Sequence, residues 1–304
     1  VPRRSSLALG LLIGTALDAV LPDPRRSHPV AAFGAAAGAL ERRMFQDGRM
    51  RGAAFTALCV GTVGLGARAV ERRSGAVGVA IGTWAVLGSR SLRGEARTVA
   101  DLLDRGDLGG ARAQITHLVG RDPAPLDADD IARAAIESVA ENTCDAVVAP
   151  LLWGAVLGLP GLLGYRAVNT LDAMVGYRSP HYTRFGWAAA RADDVANYVP
   201  ARISALLTAV AAPVVGADGR AALRIARRDG RNHPSPNSGR TEAAFAGALG
   251  LRLGGRNVYA GRVEDRPLIG DGRPPTAADV PRATRLCAAV TVAAAAVACV
   301  VARR

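Results

Sequence analysis

The stretch LCAAVTVAAAAVACVVA, residues 286–302, carries no charge and is closed by Arg303 and Arg304. As a helix it rises about 26 Å, close to the ~30 Å hydrocarbon core of a bilayer. Its Ala, Val and Leu content suits lipid, and the flanking arginines suit the headgroup layer. The stretch predicts a transmembrane helix.

Five other apolar stretches extend the pattern, at 5–21, 53–67, 75–89, 146–165 and 203–217. Most sit at or just below the ~17–25 residues a crossing needs, and they are long for soluble core helices. The expected fold is therefore all-α: a polytopic integral membrane protein with some short, broken or re-entrant helices. It reads as one membrane-embedded domain over 1–304, with polar loops at 22–52, 90–145, 166–202 and 218–285. The first stretch follows Arg3 and Arg4 as a signal peptide would, yet it has no small-x-small cleavage site and contains Asp18, so it reads as a retained anchor. Pro150 and Pro160, with Gly154, Gly158, Gly161 and Gly164, make 146–165 a poor straight span and a fair re-entrant or protein-enclosed helix.

Half of the 304 residues are apolar, the net charge is +12 and the mean hydropathy is +0.16, which excludes a disordered or fibrous chain. All 38 basic residues are arginine. Without lysine there is no pyridoxal Schiff base, no adenylyl-lysine and no P-loop lysine. The arginines lie along loops with few aromatics among them, so nucleic acid is not an expected partner; the lipid bilayer and anionic small molecules are. If all six stretches cross, 26 arginines fall on the side of loops 22–52, 90–145 and 218–285, which makes that side cytoplasmic. That arrangement strands 166–202 outside. Letting 146–165 and 203–217 turn back brings Arg191, Asp194 and His233 toward Glu141 on the cytoplasmic face. Cys59, Cys144, Cys287 and Cys299 have no metal-ligand spacing, and three of them lie in apolar runs as small hydrophobes.

The polar residues concentrate in five places. Asp23-Pro24-Arg25-Arg26-Ser27-His28-Pro29 holds a carboxylate, an imidazole and two guanidiniums on extended backbone, or is simply a rigid turn with snorkelling arginines. Glu137, Glu141 and Asp145 follow at i, i+4 and i+8 beside Ser138 and Asn142. Three stacked carboxylates repel one another unless a cation sits among them, and Mg²⁺ suits such a set; a solvated acidic face is the plainer alternative. Asn169 and Asp172 share a face within the third cluster, Tyr165 to Arg178. In Arg184–Tyr198, Arg191 and Asp194 are i, i+3 while Asp193 and Asn197 are i, i+4, so the adjacent aspartates need different partners. The prolines of Arg231 to Glu242, which includes His233, Ser235 and Asn237, make a rigid lead into a helix whose first N–H groups and Ser238 could receive an anion, or serve as an ordinary cap. The run Leu253-Gly254-Gly255-Arg256-Asn257 is too short, and lacks the lysine, for a P-loop.

Together these clusters resemble the adenosylcobinamide-phosphate synthase family of cobalamin biosynthesis (CobD/CbiB), integral membrane proteins. The resemblance rests on Asp23-Pro24 with His28-Pro29-Val30, Glu137 to Thr143, Val147 to Pro150, Ala167 to Asp172, Met174 to Arg178, Ala189 to Arg191 with Asp193 to Val195, Pro200 to Arg202, and His233 to Asn237. Ala146 stands where the family usually has glycine, and Arg240-Thr241 where Trp-Pro is common.

The resemblance implies ATP-dependent joining of a carboxylate of adenosylcobyric acid to the amine of (R)-1-aminopropan-2-ol or its O-phosphate. A carboxylate repels the amine, and activation as an acyl phosphate removes that obstacle. It also implies ATP and Mg²⁺, corrinoid and aminopropanol phosphate substrates, a cell-membrane location, and room for other cobalamin-biosynthesis enzymes as partners there. The candidate catalytic residues are then Glu137, Glu141, Asn142, Asp172 and Asp194. The candidate substrate-binding residues are Asp23, His28, Asn169, Arg178, Arg184, Arg191, Asp193, Asn197, His233, Ser235 and Asn237, and the metal ligands are Glu141 and Asp145. A pyridoxal-dependent threonine-phosphate decarboxylase sharing the family label is excluded by the missing lysine. The alternative of another class is a transporter of a corrinoid or other anionic small molecule, with 146–165 lining its path.

Overall fold

Glycine sets the shape of this helical chain by letting it turn back sharply and by letting helices touch. The computed structural model describes residues 4–22, 28–177, 179–259 and 262–304. In chain order the helices are α1 (Arg4–Val20), α2 (Pro29–Met44), α3 (Arg49–Val86), α4 (Ser89–Asp104), α5 (Leu108–Ile115), α6 (Ala128–Thr143), α7 (Ala149–Val175), α8 (Trp187–Ala211), α9 (Gly219–Arg228), α10 (Ser238–Leu249) and α11 (Val280–Arg303). A π-helical turn, Cys144–Val148, joins α6 to α7, and one antiparallel hairpin, β1 (Leu253–Tyr259) and β2 (Arg262–Ile269), lies between α10 and α11. Among the described residues 76% are helical, and four helical segments are long and apolar enough to span a membrane: Arg49–Asp104, Ala128–Val175, Trp187–Val215 and Ala277–Arg303. This is a helical membrane protein, as the composition predicts. The stretches expected as polar loops differ from expectation. Each holds helices, α2 in 22–52, α4 to α6 in 90–145, the end of α7 and most of α8 in 166–202, and α9 and α10 in 218–285. Their charges lie on amphipathic helices whose apolar sides pack inside the protein, a pattern that a search for long uncharged runs passes over.

The chain forms two compact units, the first comprising Val1–Gly88, Asp145–Val199 and Ala294–Arg304. There α1 packs on α3, and α3 on α7. Gly10 and Gly14 on α1 form a small-xxx-small stripe that permits this approach. A Cβ at Gly10 would lie 2.7 Å from the Val79 Cβ, and one at Gly14 would lie 2.4 Å from the Thr83 Cβ. Helix α7 breaks at Gly158, with φ 70° and ψ −156°, a conformation essentially reserved for glycine. The chain reverses there: a Cβ on Gly154 would sit 3.3 Å from the Cβ of Leu162, eight positions on, whereas a straight helix would separate them by about 12 Å. The Leu159 N–H released by the break donates to the buried carboxylate of Glu71 at 2.9 Å. The glycines and prolines of 146–165 thus yield a helical hairpin. Helix α3 has a comparable break at Gly75, φ 52°. Phe55, Leu171, Val175 and Phe185 form a core cluster with Ala37, Cys59 and Ala189.

The second unit comprises Ser89–Cys144 and Pro200–Ala293. Helix α6 is its central element, in contact with α4, α5 and α10, and α10 also packs on α9 and both strands. Asp127 caps α6 by accepting the Asp130 N–H at 2.8 Å. From Ile131 to Ala140 every residue of α6 is buried, Glu137 included, and Glu141 one turn on is half-buried, so neither lies on a fully solvated face.

Candidate functional site

In the second unit the polar groups converge on α6. Glu137, 3% exposed, has both oxygens engaged. Arg121 Nη2 donates to Oε2 at 2.6 Å and Gly254 N–H donates to Oε1 at 2.9 Å. Arg133 Nη1 lies 3.5 Å from Oε1 and donates to the Gly254 carbonyl at 2.7 Å. Asn257 Oδ1 accepts from Arg121 at 2.7 Å and from Arg133 at 3.2 Å. The run Leu253 to Asn257 therefore serves as the strand that locks two arginines onto Glu137. Gly254, at φ 85°, permits the approach, since a Cβ there would lie 2.2 Å from the Pro267 carbonyl oxygen.

One turn along α6, the half-buried Glu141 accepts a hydrogen bond from Ser238 Oγ at 2.8 Å, at the start of α10. Asn142 Nδ2 donates back to the Ser138 carbonyl at 3.0 Å. The rigid lead into α10 organises itself. Ser235 Oγ accepts the N–H groups of Asn237 at 3.3 Å and Ser238 at 3.2 Å, while His233 Nδ1 accepts that of Ser235 at 3.1 Å. Arg202 Nη1 donates to Asn237 Oδ1 at 3.4 Å. The start of α10 is thus engaged by Ser235 and, through the Ser238 hydroxyl, by the carboxylate of Glu141.

With Nδ1 accepting, the neutral His233 ring carries its proton on Nε2, 3.7 Å from the Glu242 carboxylate and 3.4 Å from Arg266. Burial lowers the His233 pKa, and the Arg266 charge lowers it further. Glu242 is 2% exposed, and burial, helped by the nearby charges of Glu137 and Glu141, raises its pKa well above the ordinary glutamate range. Burial thus biases both members of the His233–Glu242 pair toward their uncharged forms.

Among the described residues no three His, Cys, Asp or Glu side chains are grouped so as to hold a metal ion. The stack of Glu137, Glu141 and Asp145 does not form one ligand set. The cations beside Glu137 are guanidiniums, and Asp145 lies on the π-helical turn that follows α6.

The remaining candidates belong to the first unit. Asp193 accepts from Asn169 Nδ2 at 3.3 Å and from Asn197 Nδ2 at 3.1 Å, and Asn197 Oδ1 accepts from the Tyr165 hydroxyl at 2.8 Å. Arg166 Nη1 donates to Asn169 Oδ1 at 3.4 Å. Asp194 instead faces Arg191 at 3.7 Å, so the adjacent aspartates do take different partners. Half-buried Asp172 closes the last turn of α7, its carbonyl accepting the Gly176 N–H at 2.7 Å. Arg184 is exposed and 3.9 Å from Asp47. His28 caps α2, its Nδ1 accepting the Val30 N–H at 3.2 Å. Asp23 and Arg178 lie outside the described residues.

Sequence reasoning missed Arg121, Arg133, Asn257, Glu242 and Arg266. Two local signals were available: Arg133 and Glu137 are i, i+4, and Glu242 follows Ser238 by one helical turn. The rest depends on chain reversals, which bring Arg266 to His233 across 33 positions and Asn257 to Arg121 across 136.

The chain is 54% identical to "Cobalamin biosynthesis protein CobD" of Mycobacterium tuberculosis H37Rv, over 92% of this chain and 90% of that protein. It is 48% identical to the protein of the same name from Geobacter metallireducens, over 90% of each, and 42% identical to that of Rhodobacter capsulatus, over 92% and 93%. No solved structure matches it. The model of the family described as "CobD/Cbib protein" matches residues 11–287, a span holding every described residue of both polar clusters. The chain belongs to the CobD/Cbib family.

Proposed function

We propose that this protein acts in cobalamin biosynthesis as an ATP-dependent carbon–nitrogen ligase, joining a carboxylate of adenosylcobyric acid to (R)-1-aminopropan-2-ol or its O-phosphate. The observation that carries this reading is Glu141. In a family-matched chain it is a half-buried carboxylate held by Ser238, close enough to the buried His233–Glu242 pair to act on both electrostatically. Such a group is suited to take the proton released when an amine attacks an activated acyl group. In the proposed sequence the substrate carboxylate oxygen attacks the γ-phosphorus of ATP, ADP leaves, and the amine displaces phosphate from the acyl phosphate. Arg266 and Arg202 border His233 and Asn237 and would meet developing phosphoryl charge. Glu137 is a positioning residue, fixing Arg121, Arg133 and the β1 strand. Mg²⁺ enters this reading as the companion of ATP.

The test is incubation of the detergent-solubilised protein with ATP, Mg²⁺, corrinoid and either amine, followed by mass spectrometry of the corrinoid and measurement of ADP. Ligation adds the mass of the amine less one water and yields one ADP per product. A transporter in vesicles relocates the corrinoid and leaves its mass unchanged, and that outcome would sink the ligase reading.

A further inference from the structure

A basic cleft of about 490 Å³ in the first unit takes no part in either polar cluster. Arg4 at the start of α1, Arg68 on α3 and Arg304 just beyond α11 line it, together with Glu71 and the break at Gly158. Arg304 is exposed, and the Arg68 side chain is 46% exposed and 4.0 Å from Glu71. The Glu71 carboxylate already accepts the Leu159 N–H, so the cleft presents three guanidiniums against one engaged carboxylate. Its wall is apolar and open, with Val156 62% and Leu157 55% exposed. Leu65 and Val70, the neighbours of Arg68 along α3, are likewise exposed. Positive charge over a bare apolar wall, on helices apolar enough for a bilayer, matches a molecule with an anionic head and hydrocarbon chains. A soluble phosphate ester would use the arginines and leave the wall without a role.

We infer that this cleft binds the phosphodiester headgroup of an anionic phospholipid, with the acyl chains along Val156 and Leu157. The inference is independent of the proposed ligase activity, because its readout is lipid occupancy.

The full chain in detergent would be titrated with phosphatidylglycerol and with phosphatidylcholine and followed by native mass spectrometry. Phosphatidylglycerol should bind selectively. Arg68→Gln/Arg304→Gln should weaken it roughly 30-fold, at about fivefold for each arginine removed near a lipid surface. Arg68→Lys/Arg304→Lys should recover most of the binding, since the headgroup is met mainly as charge. If the first variant fails to fold, Arg4→Gln/Arg304→Gln, which leaves Arg68 beside Glu71, should show the same loss. Equal binding of the two lipids, or unchanged affinity in the glutamine variants, would overturn the inference. Glycerol 3-phosphate binding as tightly as the lipid would also overturn it, assigning the cleft to a soluble phosphate.

Discussion

Replacing Glu137 by glutamine isolates the ion pair that organises the second unit. The Arg121 and Glu137 side chains are 3% and 4% exposed and meet at 2.6 Å. Glutamine preserves an acceptor for the Gly254 N–H but leaves the Arg121 charge buried and uncompensated, with an amide group in place of the carboxylate. Breaking one side of a buried pair costs about 3–5 kcal/mol, whereas removing both charges is often close to neutral. At about 2 °C per kcal/mol for a chain of this size, Glu137→Gln should lower the melting temperature by about 6–10 °C. Arg121→Met/Glu137→Gln should recover much of the loss, because the Arg121 charge goes with its partner and Arg133 keeps the Asp130 carboxylate at 2.7 Å. All variants must be heated at one rate in one detergent, since unfolding of such chains is frequently irreversible. The reasoning fails if Glu137→Gln melts with the wild type, or if the double variant loses the sum of the two single losses.

Glu141→Gln should reduce ligation by about 10²–10⁴-fold, the usual contribution of a general base, with little change in melting temperature because the amide oxygen can still accept from Ser238; unchanged turnover would remove Glu141 from the chemistry. Gly158→Ala should destabilise by about 1–3 kcal/mol from backbone strain alone, more with a Cβ 2.2 Å from Glu71 Oε1, while Gly164→Ala, facing open space, should leave the melting temperature unchanged. For Glu242 the folded pKa is raised, so the native state holds the proton more tightly and stability falls as pH rises above the unfolded carboxyl pKa. Glu242→Gln should therefore melt higher than wild type at alkaline pH and lose that advantage toward pH values where the wild-type carboxyl is protonated in both states; a pH-independent difference would contradict the raised pKa. His233 has the opposite sign: its lowered pKa makes stability fall as pH drops through the unfolded histidine range, and His233→Gln should remove that component from the melting profile.

Much of the helical architecture is legible in particular residues. The glycine and proline spacing of 146–165 encodes the reversal at Gly158, because few other residues adopt its backbone angles. The i, i+4 spacing of Asp193 and Asn197, against i, i+3 for Arg191 and Asp194, gives both partnerships observed. The acidic series at 137, 141 and 145 is legible as a problem of repulsion but not in its solution. Arg121 is an isolated arginine in sequence, and the Asn257 and Gly254 groups that complete the cage lie beyond several chain reversals. Helix α9 illustrates the other omission. Its arginines suggest a solvated loop, while Ala222, Ile225 and Ala226 on its opposite side are buried.

The hairpin contact to α6 also orders events in time. Glu137 and Gly254 are 117 positions apart, so during synthesis α6 is complete long before its backbone partner leaves the ribosome. Until then the Glu137 carboxylate and the guanidiniums of Arg121 and Arg133 lack the strand that satisfies them, and water must serve in its place. A nascent α6 carrying those groups is poorly suited to settle alone in hydrocarbon. The second unit therefore reaches its buried form only after residues 253–269 have been made, and its assembly is late and long-range.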